Sequence, residues 1–431
     1  NIREWGFPLD HLYVIKDQKE PLDGVQCVPS LAELPGKVDL LVLAAAAKGM
    51  PALAQEVVDG GTVASVIIIP GGLGEKEGTE EAQAQIHEII VASRSRPDGG
   101  PIFLGPNCLG LRSRPGRYDT FFIPSSKLDP RRDAPARRTA IVSQSGAFII
   151  TRMSNLVTLD PTFAISIGNQ IDLTISDMLR AVGGREDIDA IGVYVEGFKD
   201  LDGIAFVRAV EEVTAAGKVV VFYKAGRTDV GRSATAGHTA SIAGDYDICQ
   251  SAVASAGALV CETFKEFEQL VEIATALHGK KFGGRRIGAI SNAGYETVGM
   301  ADAIHGPRHN VEIPEFSGGT FASLEETLAK YKLDGLVNAR NPLDVTPMAD
   351  DQAYTDCARV VLQDHRIDAL VASFVPLTAK LLTTADELGD QKSVAHRLAA
   401  LFHESAKPLV AVVDSGPAYE PPVHLMRSPG L

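Results

Sequence analysis

Short apolar runs rich in β-branched residues recur along this chain. Each is followed by a glycine-rich turn and then by a helical pattern. They occupy residues 12–15, 40–44, 66–69, 102–104, 140–142, 164–167, 192–195, 219–223, 287–290, 369–375 and 409–413. Runs that are apolar at nearly every position, and that alternate with helices, predict parallel strands buried on both faces. The expected architecture is α/β, several doubly wound domains in series. Two polar, basic stretches, 125–138 (SSKLDPRRDAPARR) and 278–286 (HGKKFGGRR), read as solvated linkers and divide the pattern. The segments so separated are 1–130, 131–280 and 281–431.

Composition narrows the picture. The 431 residues suffice for roughly three domains. Acidic residues outnumber basic ones, for a net charge of −14, which argues against a broad nucleic-acid-binding face. A local positive pocket for a phosphorylated ligand stays compatible with that balance. The longest apolar run, 40–47, is strand-sized, so no transmembrane helix is expected. The five cysteines, at 27, 108, 249, 261 and 357, form no CxxC pair and read as free thiols in a reducing cytoplasm. No Cys/His cluster has metal-ligand spacing, and no metal site is expected on this chain. The first residue is Asn1, with no signal peptide before it, so a fragment or processed product is expected.

In an open parallel sheet, ligands gather at the carboxyl ends of strands. Four such ends carry distinctive turns: Pro70-Gly71-Gly72-Leu73-Gly74-Glu75, Gly105-Pro106-Asn107-Cys108-Leu109-Gly110, Ser143-Gln144-Ser145-Gly146-Ala147-Phe148 and Ser291-Asn292-Ala293-Gly294-Tyr295. A strand feeding Ser-x-Ser-Gly into a helix presents N–H groups and hydroxyls at the positive end of a dipole, which suits an anion. The same residues also serve as ordinary N-caps. His238 lies within Gly237-His238-Thr239-Ala240-Ser241, where small neighbours leave an imidazole accessible as a nucleophile. Glu196 ends an apolar strand, where it can fix the tautomer of that imidazole or cap the next helix.

Taken together, GPNCLG, SQSGAF, VYVEGF and AGHTASIAGD resemble the nucleoside-diphosphate-forming (ADP-forming) acyl-CoA synthetases, relatives of the succinyl-CoA synthetase α subunit. The resemblance runs from near Asn1 to about Gly416. It implies a Rossmann-like CoA-binding domain over 1–130, lacking its first strand, a ligase domain over 131–280 and a second flavodoxin-like ligase domain over 281–431. By the same resemblance His238 is the phosphorylated histidine and Glu196 its supporting glutamate. Ser143, Ser145, Gly146 and Ala147 fall in the phosphate-stabilising loop. Lys16, Gly71, Gly72, Asn107 and Cys108 fall where the family approaches CoA. The implied reaction joins ATP, a carboxylic acid and CoA into acyl-CoA, ADP and phosphate, through phosphohistidine and acyl phosphate. ATP and Mg²⁺ would be bound mainly by an ATP-grasp domain or β-type subunit outside this chain, in a cytoplasmic oligomer with no nucleic-acid or membrane partner.

Three departures accompany the resemblance. The amino-terminal strand and glycine loop of the family are absent before Asn1, and the expected motif around Lys16 reads Val14-Ile15-Lys16-Asp17. The third-domain Asn-Ala-Gly-Gly-Pro-Gly loop reads Asn292-Ala293-Gly294-Tyr295-Glu296-Thr297. Nothing in the chain resembles an ATP-grasp domain. Alternatives are a CoA- or acyl-CoA-sensing regulatory module and an ATP-dependent CoA-linked lyase. Relatives handle short-chain, branched, aryl and hydroxycinnamic acids, and the sequence does not choose among them.

Overall fold

The computed structural model describes residues 1–17, 20–75, 78–129, 136–156, 159–238, 245–306 and 309–427, with backbone alone over 234–238. The chain forms two compact units, Asn1–Thr275 and Ala276–Leu431.

The first unit contains two principal sheets. Strands Val38–Leu43, Val63–Ile68 and Ile102–Leu104 form a parallel sheet in that order. Helices Met50–Gly60 and Glu80–Ser93 close one core with it, through Met50, Ala54, Val57, Ile86, Ile90, Val66, Ile68 and Phe103. A separate parallel pair, Tyr13–Ile15 with Gln26–Val28, precedes this sheet in the chain. The larger sheet has seven strands in the order Leu259–Cys261, Val219–Lys224, Ala190–Val195, Arg137–Ser143, Pro161–Ser166, Gly110–Ser113 and Tyr118–Asp119. Its first five strands are parallel, and the last two join antiparallel.

The period-2 geometry of a strand explains why these runs are apolar throughout. Ala140, Val142, Val193, Val195, Val220 and Phe222 face one core, shared with helices Ile175–Gly183 and Asp202–Ala215. The intervening Ile141, Tyr194 and Val221 face the other, against Phe148, Ile149, Phe267 and Val271 of helices Gly146–Asn155 and Phe264–Ala276. Both faces are buried, as the unbroken hydrophobicity predicts.

In the second unit the parallel order is Leu343–Asp344, Ile287–Ser291, Ala369–Phe374 and Leu409–Val413. Helices Gly318–Lys330, Asp351–Gln363 and Val394–Glu404 contribute to its core.

All eleven predicted runs coincide with strands. The strands that sequence patterning missed are two to four residues long, among them Gly110–Ser113, Tyr118–Asp119 and Leu343–Asp344. Residues 110–119, within the segment read as the first domain, hydrogen-bond into the seven-stranded sheet. The basic stretches also do more than link: Arg138 pairs with Asp189, Arg286 pairs with Asp368 at 2.7 Å, and Lys280 donates to the Ser405 carbonyl at 2.8 Å.

At the hairpin, Arg112 is buried against Asp119 at 2.9 Å, with its guanidinium carbon 4.8 Å from the centre of the Trp5 ring. Asp119→Ala leaves that cation buried and unpaired, which should cost about 3–5 kcal/mol. Urea unfolding followed by fluorescence of Trp5, the single tryptophan, measures both the loss and the local disturbance.

Candidate active site

The connections of the seven-stranded sheet diverge at one place. From Arg137–Ser143 the chain leaves through helix Gly146–Asn155 to Pro161–Ser166 on one side. From the adjacent Ala190–Val195 it leaves through helix Asp202–Ala215 to Val219–Lys224 on the other. Such a switch point opens a crevice at the carboxyl ends of the two strands. The Ser143–Phe148 turn stands at one wall and Glu196 at the other.

Local chemistry builds the first wall. Fully buried Ser143 closes the turn, its Oγ donating to the Ser145 carbonyl at 2.8 Å and accepting from the Ser145 N–H at 3.1 Å. Ser145 caps the helix, its Oγ accepting from the Phe148 N–H at 3.3 Å. Gly146 and Ala147 then supply the first-turn N–H groups that a helix start offers to an anion. Gly146 is required by packing, since a Cβ there would lie 2.5 Å from Leu109 Cγ. Of the four residues assigned to the loop, Ser143 and Ser145 therefore shape it, while Gly146 and exposed Ala147 present it.

At the second wall, the Tyr194 hydroxyl donates to Glu196 Oε1 at 3.3 Å. Burial, reinforced by the Glu196 charge, pushes the Tyr194 phenol well above its ordinary range and keeps it a donor. The ring stacks on Phe148, with centroids 4.1 Å apart, and so ties the two walls together.

Three further side chains hold the Glu196–Gly197 backbone. Gln144 Oε1 accepts from the N–H groups of Glu196 at 2.8 Å and Gly197 at 3.0 Å. Lys224 Nζ donates to the carbonyls of Glu196 and Ala225, both at 2.7 Å. Gln170 Nε2 donates to the Gly197 carbonyl at 3.1 Å. Gln144, Gln170 and Lys224 are all buried, and desolvation lowers the Lys224 pKa. Sequence reading singled out none of their side chains.

A loop that it also missed, Gly168-Asn169-Gln170, connects this crevice to the glycine turns of the smaller sheet. The N–H groups of Asn169 and Ile171 donate to the carbonyls of Pro106 and Gly105 at 2.8 and 2.9 Å. Asn169 Nδ2 donates to Glu75 Oε1 at 2.6 Å. Asn107 in turn donates its N–H to the Pro70 carbonyl at 3.0 Å, and a Cβ on Gly71 would lie 3.0 Å from Asn107 Oδ1. Gly71, Gly72 and Asn107 are thus gathered, all exposed, at one edge. The Cys108 thiol points inward, donating to the Ile68 carbonyl at 3.3 Å, and burial pushes its pKa up to about 12. Only its backbone belongs to the turn.

Lys16 is exposed at the end of the separate Tyr13–Ile15 strand, its N–H bonded to the Val28 carbonyl. His238 ends helix Asp229–His238, which follows strand Val219–Lys224. Its side chain and residues 239–244 lie outside the described residues.

The second unit has its own switch point, between Ile287–Ser291 and Ala369–Phe374. Asn292 bridges it, accepting from the Val375 N–H at 2.8 Å and donating to Thr378 Oγ1 at 3.1 Å. The departures there have definite places. The Tyr295 hydroxyl donates to Asp414 at 2.9 Å, while Glu296 is buried against the Ser291 hydroxyl.

Comparison with known proteins draws these features together. Residues 10–114 match the CoA binding domain family, and residues 136–277 match the succinyl-CoA ligase like flavodoxin domain. The chain is 29% identical over 426 residues to the α subunit of an ADP-forming acetate–CoA ligase II of Pyrococcus furiosus, covering 97% of this chain and 85% of that one. Over nearly its whole length the chain is thus similar to ADP-forming acyl-CoA synthetases. An ADP-forming acetate–CoA ligase II of Archaeoglobus fulgidus is 27% identical, over 91% of this chain. Only 55% of that relative is spanned, and the chain spans about half the length of several of the curated relatives it matches. The apo acetyl-coenzyme A synthetase 1 of Ca. Korarchaeum cryptofilum superposes with a TM-score of 0.82 at 26% identity, over 99% of this chain and 86% of that one. Among the described residues no helix is long and apolar enough to cross a membrane.

Two measurements probe the packing of these residues and of a buried thiol in the second unit. Gly168 has φ +61°, and a Cβ there would lie 2.0 Å from the Pro106 carbonyl oxygen. Gly168→Ala should therefore cost about 2–4 kcal/mol in urea unfolding, since neither strain nor backbone contact can relax cheaply. The Cys108 and Cys357 thiols, both pushed up to about 12, should react with a disulfide reagent at neutral pH only on unfolding. Their raised pKa values favour the protonated folded state. That stability is complete below the ordinary 9.0 and is lost as pH climbs towards 12.

Proposed function

We propose that this chain carries the CoA-binding and phosphohistidine-relay portion of an acid–CoA ligase that converts ATP, a carboxylic acid and CoA into acyl-CoA, ADP and phosphate. The observation that carries the reading is the crevice itself, where a Ser145-capped helix start and Glu196 flank neighbouring strand ends. A phosphorylated imidazole gains about two negative charges, and first-turn N–H groups stabilise such charge without a metal contact.

In this scheme neutral His238 is the nucleophile. One ring nitrogen attacks the terminal phosphorus of ATP and ADP leaves, while Glu196 accepts the N–H of the other nitrogen and fixes the tautomer. The N–H groups of Gly146 and Ala147 stabilise the transferred phosphoryl group. An oxygen of the acid then attacks phosphorus, the imidazole departs, and an acyl phosphate results. The CoA sulfur attacks the acyl carbon, phosphate leaves, and the thiol proton goes to solvent or phosphate. Gly71, Gly72 and Asn107 form the edge assigned to CoA, with Lys16 assigned to its nucleotide. The ATP-grasp part that would bind ATP and Mg²⁺ belongs to a β-type partner or to a fused segment, and Mg²⁺ there would neutralise phosphate charge. An oligomer that brings this part to His238 is part of the proposal, as is a cytoplasmic location.

The test is phosphorylation by labelled ATP and Mg²⁺ of the complete enzyme, this chain with its ATP-grasp part. Acid-labile, base-stable label should appear on the wild type and be absent from His238→Ala. CoA plus one member of a panel of acetate, branched, aryl and hydroxycinnamic acids should discharge it and name the substrate. Absence of label with CoA still bound would defeat the relay and favour a CoA-sensing module.

A further inference from the structure

All four backbone polar groups of Glu196–Gly197 are held by side chains from three other strand ends. Gln144 takes both N–H groups, Lys224 takes the Glu196 carbonyl and Gln170 takes the Gly197 carbonyl. Gln144 follows the neighbouring strand, Lys224 ends the strand on the opposite flank, and Gln170 belongs to the loop that reaches the glycine turns of the smaller sheet. Buried backbone groups are paired with backbone, side chains or ordered water, most of them with backbone. Here a buried ammonium and two buried carboxamides do it, and each must be desolvated to do so.

We infer that Gln144, Gln170 and Lys224 are positioning residues for phosphoryl transfer, acting by fixing the peptide from which the Glu196 carboxylate projects. The inference rests on the reading of Glu196 as the support of His238. A carboxylate that must meet one nitrogen of an imidazole tolerates little displacement. A shift of about 1 Å at a reacting group can cost on the order of a hundredfold in rate. Holding the peptide at both N–H groups and both carbonyls removes the rotations that would swing the side chain. Gln170 adds a connection, since its Oε1 accepts from the Ile175 N–H at 2.9 Å and so anchors the frame to a helix start.

A double-mutant cycle on the complete enzyme tests the assignment. Gln144→Leu and Lys224→Met are each made in the wild type and in Glu196→Gln, and the initial rate of acid-labile phosphorylation is measured with KM for ATP. Each single variant should lose about ten- to a hundredfold in rate with KM within about twofold. In the Glu196→Gln background the same changes should cost less than about threefold, because the carboxylate they position is gone. Gln144→Glu, the conservative control that keeps an acceptor for both N–H groups, should recover to within about threefold of wild type, and Lys224→Met carries the test if Gln144→Leu fails to fold. Equal losses in both backgrounds, or single variants at the wild-type rate, would overturn the positioning role. A wild-type rate for Glu196→Gln alone would overturn the role of Glu196, and this inference with it, which is a separate result.

Discussion

At the end of a parallel strand the backbone loses its ladder partners, and its polar groups must find others or face water. The Glu196–Gly197 peptide meets that constraint at a switch point, where the connections on either side turn away from each other. Side chains therefore supply the missing hydrogen bonds. Much of the crevice follows from this accounting. Gln144, Lys224 and Gln170 must be long, polar and buried, and the loops that carry them must converge. Tyr194 must face Phe148 across the two walls, and the stacked pair sets their spacing.

The same constraint ties the two sheets of the first unit together. Gln170 can reach Gly197 only because Gly168 and Asn169 lie directly on the Pro106 and Asn107 backbone. That contact leaves no room for a Cβ at Gly168, just as Leu109 leaves none at Gly146. The glycine turns assigned to CoA and the crevice assigned to the phosphoryl relay are thus coupled by backbone contacts rather than by a flexible linker. In the proposed relay, which passes an activated group from phosphate to thiol, this coupling keeps the two chemistries in register.

The second unit repeats the switch-point geometry with a different filling. Asn292 joins the two diverging loops, and buried Glu296 in the first helical turn accepts from the Ser291 hydroxyl. The Tyr-Glu departure from the family loop thus turns a glycine-rich turn into one occupied by side chains. Tyr295 remains exposed at its rim, anchored to Asp414.

The sequence by itself determined the class of fold, because strands buried on both faces must be apolar at successive positions and glycine turns must follow them. It also marked Ser143–Phe148, Glu196 and the turns at Gly71 and Asn107, since strand ends announce themselves as polar or glycine residues after an apolar run. Tertiary structure alone decided that residues 110–119 join the larger sheet, because an antiparallel edge of two to four residues carries too little pattern to read. It alone separated Asn107, exposed at the turn, from Cys108, whose thiol is turned into the core. It alone revealed the frame around Glu196 as well. Gln144, Gln170 and Lys224 are far apart in sequence and ordinary in type. Their meaning comes from hydrogen bonds across three strand ends, and no periodicity along one chain encodes those.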